Sequence, residues 1–193
     1  QLKGHPAARL IDTIEKSALR GKNIIKQILA FARGVEGERR LVQLTYVVKE
    51  IEKILHETLP PSIELSAEIG EGPLPIIGDA TQLHQVLMNL VVNAAQAIAK
   101  QPGRIEISLA AVSGDTGVAG LAPGRYARLG VTDNGPGMDA ATRQRIFDPF
   151  FTTKAVGEGT GLGLGLAVVD GIVKRFGGAI TVYTEPGRGC AFY

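Results

Sequence analysis

Between Asp79 and Lys100 two stripes run along a single helix. Leu83, Val86, Leu87, Leu90, Ala94, Ala97 and Ile98 recur three and four apart, and beside them Gln82, Gln85, Asn89, Asn93, Gln96 and Lys100 keep the same spacing. The first stripe needs a core to pack on. The second is polar but almost wholly uncharged, whereas a solvated stripe is usually Glu and Lys, and Asn is a poor interior helix former. Two asparagines one turn apart are therefore read as oxygen donors facing a ligand. An amide oxygen is a hard, neutral ligand that suits a Mg²⁺ already carrying phosphates. A helix occupied on both sides must lie between a core and a site, and Asp79 is placed to cap its start.

Around this helix the pattern is mixed. A short apolar strand at Leu41 to Leu44 leads into a helix from about Thr45 to Leu59, stopped by Pro60-Pro61. Strands follow at Ile63 to Ile69 and Leu74 to Ile77, then alternating strands at Arg104 to Val112 and Arg125 to Asp133. Beyond a glycine-punctuated stretch, a helix runs to Phe176 and a hairpin joins Ala179 to Thr184 with Gly189 to Tyr193. Strands mixed with helices in no strict alternation predict an open α/β sandwich with helices on one face of the sheet.

Three further segments carry chemistry. Asp133 continues the parity of Ala127, Leu129 and Val131, so its carboxylate should face the core side, where it needs donors. An adenine amino group is such a donor, while guanine presents an oxygen there; an Asx bond capping the Asn134-Gly135 turn is the alternative use. Three of the six phenylalanines lie in Phe147-Asp148-Pro149-Phe150-Phe151, an aromatic plug that could anchor a mobile loop. Lys154 follows as the one lysine between Lys100 and Lys174, a candidate for a terminal phosphate, which core packing does not explain. Glycines 157, 159, 161, 163 and 165 then alternate before the apolar helix, offering backbone N–H groups to an anion. No Gly-Lys-Ser/Thr follows, so this is not a Walker A loop, and the interleaved leucines argue against a plain linker.

The first 34 residues differ from the rest. They hold seven basic and two acidic residues, against fourteen and seventeen afterwards, in a chain of 193 residues with net charge +2. Ile11, Ala18, Ile25 and Ala32 with Ile14, Gly21, Ile28 and Val35 form an a/d seam, widened by Ile24, Leu29 and Phe31 as a bundle helix requires. Packing of that helix on its own domain is the alternative. The modest net charge does not suit a nucleic-acid-coating protein. One cysteine and three histidines supply neither a disulfide framework nor a zinc set. Without a run long enough for a membrane span, the stretch reads as cytoplasmic. It opens on Gln1 and stops within a strand, and so is expected to be a piece of a longer protein whose membrane anchor, if any, lies outside it.

Taken in order, these segments resemble the ATP-binding domain of sensor histidine kinases, within the GHKL family shared with gyrase, MutL and a major heat-shock chaperone. Gln85 to Ala94 looks like the N box, Asp133-Asn134-Gly135-Pro136-Gly137-Met138 the G1 box, Phe147 to Lys154 the F box and Gly157 to Leu166 the G2 box. Residues 10 to 34, ending Gln27-Ile28-Leu29-Ala30-Phe31-Ala32-Arg33, resemble the second helix of the dimerisation and phosphotransfer domain. The resemblance implies a Bergerat-type mixed sheet preceded by a long bundle helix, with a boundary near residue 36. It implies ATP and Mg as ligands and a loop that closes over ATP. Asn93 would be the metal ligand, with Asn89 beside it. Asp133, Gly135 and Gly137 would surround adenine, and Lys154, Gly159, Thr160, Gly161, Leu162 and Gly163 the phosphates.

The implied activity is transfer of the γ-phosphoryl group to a histidine and then to an aspartate of a response regulator receiver domain, in a homodimer joined through the bundle helix. ATPases of the wider family carry Glu one turn before the metal Asn; Asn89 stands there and takes no proton at neutral pH. Departures from the pattern are plain. No histidine here has the acceptor context, since His5 precedes Pro6-Ala7 and His56 and His84 lie in the ATP-binding part. Cys190 replaces a Thr in the last strand, and Gly-Leu occurs three times before Ala167 where two are usual. A non-catalytic nucleotide-binding scaffold and a water-using ATPase are the alternatives. The extra pair is expected before the helix, with Leu162 and Leu166 on its buried stripe.

Overall fold

The computed structural model describes residues 38–98, 102–114, 117, 118, 120–154 and 162–193, and of the first 37 residues only 10, 11, 14, 15, 17, 18, 21, 22 and 25. The latter are all helical, and Leu10, Ile11, Ile14 and Ile25 among them are exposed. The remainder of the expected bundle helix, including Gln27 to Arg33, and the boundary near residue 36 lie outside the described residues. No helix among the described residues is long and apolar enough to cross a membrane.

A five-stranded sheet carries the fold, in the order β2-β4-β5-β7-β6. Its strands are β2 (Ile63–Ile69), β4 (Gly103–Gly114), β5 (Gly124–Asp133), β6 (Val182–Thr184) and β7 (Cys190–Phe192). β2 runs parallel to β4, and every other pairing is antiparallel. Alternation decides which face is covered: Ile105, Ile107 and Leu109 of β4 and Val131 of β5 are buried, while Arg104 and Arg128 of the intervening positions are exposed. Each buried aliphatic contributes roughly 1.5–3 kcal/mol, so a slip by one residue would forfeit the whole set at once.

Helices α1 (Leu44–Thr58), α2 (Ala80–Ile98) and α4 (Gly165–Arg175) supply the facing side chains. In α1 these are Leu44, Val47, Val48, Ile51 and Leu55, a three-four stripe that ends where Pro60 and Pro61 forbid further helix. Asp79 caps α2 as expected, its Oδ1 accepting from Gln82 N–H at 3.0 Å. β1 (Arg40–Gln43) and β3 (Pro75–Gly78) pair with each other as a separate antiparallel ribbon, Arg40 opposite Gly78.

Three readings need correction. Ala97 is exposed, because at the last turn of α2 its side points toward the Gly135 turn and away from the sheet; an added Cβ at Gly135 would lie 3.6 Å from Ala97 Cβ. Leu164, 1% exposed, is the fully buried leucine before α4; Leu166 is half-buried but packs on the core as expected, whereas Leu162 is half-buried and stands apart from it. The chain does not continue as helix back to Leu162, since Gly163 takes a left-handed φ of 69° and resets the register. Finally a short helix, α3 (Ala140–Arg145), stands in the stretch read as glycine-punctuated loop, capped by Asp139 Oδ1 accepting from Thr142 N–H at 2.7 Å.

Candidate functional site

The polar stripe of α2 is neither core nor solvated surface. Gln82 is buried, and Gln85, Asn89, Asn93 and Gln96 are half-buried. Asn89 Nδ2 donates to the carbonyl of Gly165, the first residue of α4, at 3.3 Å. A Cβ built on Gly165 would stand 3.7 Å from Asn93 Nδ2, so both asparagines abut the start of α4. One turn further along, Gln96 Oε1 accepts from Lys154 Nζ. At the far end Ala97 meets the turn that follows Asp133. From Asn89 to Ala97 is about 12 Å of helix axis, so α2 gathers Gly165, Lys154 and the Asp133 turn along one side. Lys154 is exposed on the whole, but partial loss of water around its ammonium pushes its pKa down.

Asp133 is 7% exposed, on the core side of β5 as its parity predicts. Gly135 N–H donates to Oδ1 at 2.8 Å, and the backbone N–H of Cys190 also serves the carboxyl. The Asx bond and the buried acceptor are thus both present. Burial nevertheless dominates and raises the Asp133 pKa, opposed by those two N–H groups.

Thr184 is a residue that the sequence does not single out. Its Oγ1 accepts from Met138 N–H at 2.9 Å and donates to Gly189 O at 2.8 Å, and Cys190 Sγ donates to it at 3.2 Å. One hydroxyl therefore ties the Asp133 turn to the last hairpin. Only the pairing of Thr184 with Cys190 brings it there, and no local pattern announces that pairing. Burial raises the Cys190 pKa, the Thr184 bond opposes it, and the Asp133 charge adds to it.

The aromatic segment is divided. Phe147 and Phe151 pack on the core, with the Arg145 guanidinium 4.4 Å from the centre of the Phe151 ring. Phe150 does not plug anything: it is 63% exposed and holds a φ of 67°, while its N–H donates to Gly163 O at 3.0 Å. A Cβ on Gly163 would fall 2.4 Å from Phe151 O, so glycine is required on that side of the contact. Left-handed backbone in an L-residue costs about 1–2 kcal/mol. Phe150→Gly should consequently be more stable than Phe150→Ala by about 1 kcal/mol in urea unfolding, both having lost the same exposed ring. An alanine variant as stable as the glycine variant would show that Phe150 carries no backbone strain. Of the expected phosphate-side residues, Leu162 and Gly163 are described, whereas Gly159, Thr160 and Gly161 lie outside the described residues.

Comparison with known proteins agrees with this geometry. Residues 78–193 match the family model described as histidine kinase-, DNA gyrase B-, and HSP90-like ATPase. The chain is 36% identical over 186 residues to the sensor kinase CckA of Brucella abortus, covering 94% of this chain and 19% of that protein. It is 35% identical over 190 residues to the sensor histidine kinase ZraS of Escherichia coli K12, covering 98% of this chain and 37% of the relative. The solved structure of full-length ShkA in complex with AMPPNP superposes with a TM-score of 0.75 at 26% identity, over 95% of this chain and 37% of that one. Each of these proteins is much longer than the chain described here. The sandwich is that of Bergerat-type ATPase domains, and from its fold and the match over residues 78–193 this chain belongs to the family of histidine kinase-, DNA gyrase B- and HSP90-like ATPases.

Proposed function

We propose that the chain is the ATP-binding core of a two-component sensor histidine kinase. It would bind Mg-ATP and pass the γ-phosphoryl group to a histidine outside these 193 residues, and thence to a response regulator aspartate. The observation that carries the reading is the convergence on α2: Asn89 and Asn93 against the start of α4, Lys154 on Gln96, and the Asp133 turn at the far end. Asp133 would accept from the adenine amine, with Gly135 and Gly137 allowing close approach of the base. Lys154 and the Gly159 to Gly163 segment, including Thr160, Gly161 and Leu162, would meet the phosphates. No cluster of three or more His, Cys, Asp or Glu occurs among the described residues. Asn93 is a neutral donor toward Mg²⁺, which suits an ion held chiefly by phosphate oxygens. When bound, the ion would neutralise charge on the phosphates.

Among the alternatives, a water-using ATPase is disfavoured by Asn89. Its amide donates to Gly165 O and cannot accept a proton, so it would position α4 and not activate water. A histidine imidazole is a competent nucleophile without a base, and positioning can carry most of its reaction. A scaffold that merely holds nucleotide remains distinguishable by transfer to an added histidine helix. Dimerisation through the bundle helix and a cytoplasmic setting belong to the same proposal.

The test uses labelled ATP. The 193-residue chain alone should retain no acid-labile label, because none of its histidines has the acceptor context; with a His-Glu/Asp helix from a histidine kinase supplied upstream, label should appear. Acid-labile label on His5, His56 or His84 would overturn the assignment, and so would free phosphate accumulating at enzymatic rates with no protein label.

A further inference from the structure

A second concavity lies behind the Asp133 turn. It measures about 330 Å³ and is lined by Thr132, Arg143, Tyr183, Thr184, Arg188 and Cys190 with their neighbours, none of which the nucleotide reading uses as a ligand contact. By register Thr132, Ala191 and Tyr183 share the sheet face away from α2 whereas Cys190 and Thr184 share the face of Asp133, so the opening straddles the strand ends at the hairpin. That volume falls at the low end of small-molecule sites.

Its lining has a definite chemistry. Residues 35–193 carry more acid than base, yet this opening brings together two guanidinium groups and one carboxylate, Glu185, which Arg188 Nη1 pairs at 3.4 Å. Arg143 forms no ion pair among the described residues. Tyr183 is 64% exposed beside it and is braced edge-on by Tyr193 at 6.0 Å, whose ring in turn lies 5.4 Å below the Arg128 guanidinium. An exposed ring held in place in a cleft lined by two forked cations, with the Thr132 hydroxyl at hand, matches an oxyanion attached to a flat group.

We propose that this cleft is a second ligand site, taking a phosphate monoester with a planar substituent: the phosphoryl oxygens between Arg143 and Arg188, the plane against Tyr183. The site shares a wall with the Asp133 turn. Cys190 lines the cleft while its N–H serves the Asp133 carboxyl, and Thr184 lines it while holding Met138. A ligand here is therefore positioned to alter nucleotide affinity, and nucleotide to alter its own by the same factor.

The probe is phenyl phosphate, titrated by two-dimensional amide NMR into the 193-residue chain already saturated with ADP. ADP occupancy is established first by its own titration, so a failure of the nucleotide reading shows separately. Phenyl phosphate should shift the Thr132, Tyr183 and Ala191 amides saturably. Loss of both guanidiniums in Arg143→Ala with Arg188→Ala should weaken it by roughly tenfold. Benzoate should bind more weakly, since a carboxylate offers one oxygen fewer, and inorganic phosphate more weakly still for want of the ring. Shifts confined to the neighbourhood of Lys154, an unchanged titration in the double variant, or equal binding of benzoate would each overturn the assignment.

Discussion

Gly189→Ala should abolish cooperative folding or lower the midpoint of thermal unfolding by more than about 6 °C, through a cost of at least ~3 kcal/mol. Two independent effects add at this position. Its φ of 79° lies in the left-handed region, and a Cβ there would stand 1.9 Å from the carbonyl oxygen of Asp133. That oxygen belongs to the backbone at the end of a central strand, so it cannot yield as a side-chain tip would. The same collision awaits Gly137, where a Cβ would lie 2.0 Å from Glu185 O at a φ of 67°. Asp133, Gly137 and the β6–β7 hairpin are consequently packed as one unit, backbone on backbone. Differential scanning calorimetry decides the matter: a Gly189→Ala protein melting within a few degrees of the parent would mean that the hairpin can swing away from the turn.

The second large effect is on nucleotide. Asp133→Asn should weaken ADP or ATP by about 10- to 150-fold, the loss expected for a charge-assisted bond of roughly 1.5–3 kcal/mol, while GTP should change little. The buried carboxyl accepts from Gly135 and Cys190, and an amide cannot accept at both places; its NH₂ would face one of those N–H groups or the base. The pH dependence has a definite sign. Burial raises the folded-state pKa of Asp133 above the ordinary aspartate value of 3.8, so the proton is held more tightly in the fold than in the unfolded chain. Its contribution to stability is then present below the unfolded pKa and lost as pH rises through the folded pKa. Affinity for adenine runs the other way, rising as the carboxylate ionises. Calorimetric titration of ATP and GTP from acid to neutral pH, with thermal unfolding measured at each pH, would show both. Equal losses for the two nucleotides, or an affinity flat across that range, would remove Asp133 from the adenine contact.

What could be read in advance was whatever repeats along the chain. β2 occupies 63–69 as expected, because Ile63 and Leu65 alternate with Glu64, Ser66 and Glu68; Asp133 follows from the same parity. α2 is legible because nineteen residues give two stripes room to separate. By contrast α3 has six residues and buries none of them, so it leaves no apolar period to find. The β1–β3 ribbon joins Arg40 to Gly78 and the Thr184 hydroxyl reaches Met138, contacts between distant segments that no local pattern encodes. Leu164 escapes the sequence pattern for another reason. Counting back by threes and fours from Val169 assumes continuous helix, and a left-handed Gly163 ends that assumption. The polar stripe pointed to the right helix, yet its partners, Gly165 and Lys154, come from elsewhere in the chain.

The bond from Phe150 N–H to Gly163 O joins two points of the chain whatever the number of residues between them, as the closing bond of a ring does. For such a ring the entropy of joining the ends grows only with the logarithm of the residue number, and even a doubling costs about 0.6 kcal/mol. One extra Gly-Leu pair adds on the order of 0.1 kcal/mol by that relation, far below what any packing defect would cost. Of the three Gly-Leu pairs only Gly161-Leu162 precedes the tie, while Gly163 is held against Phe151 and Gly165 against Asn89, so a change of pair number is cheap only on the near side of Gly163.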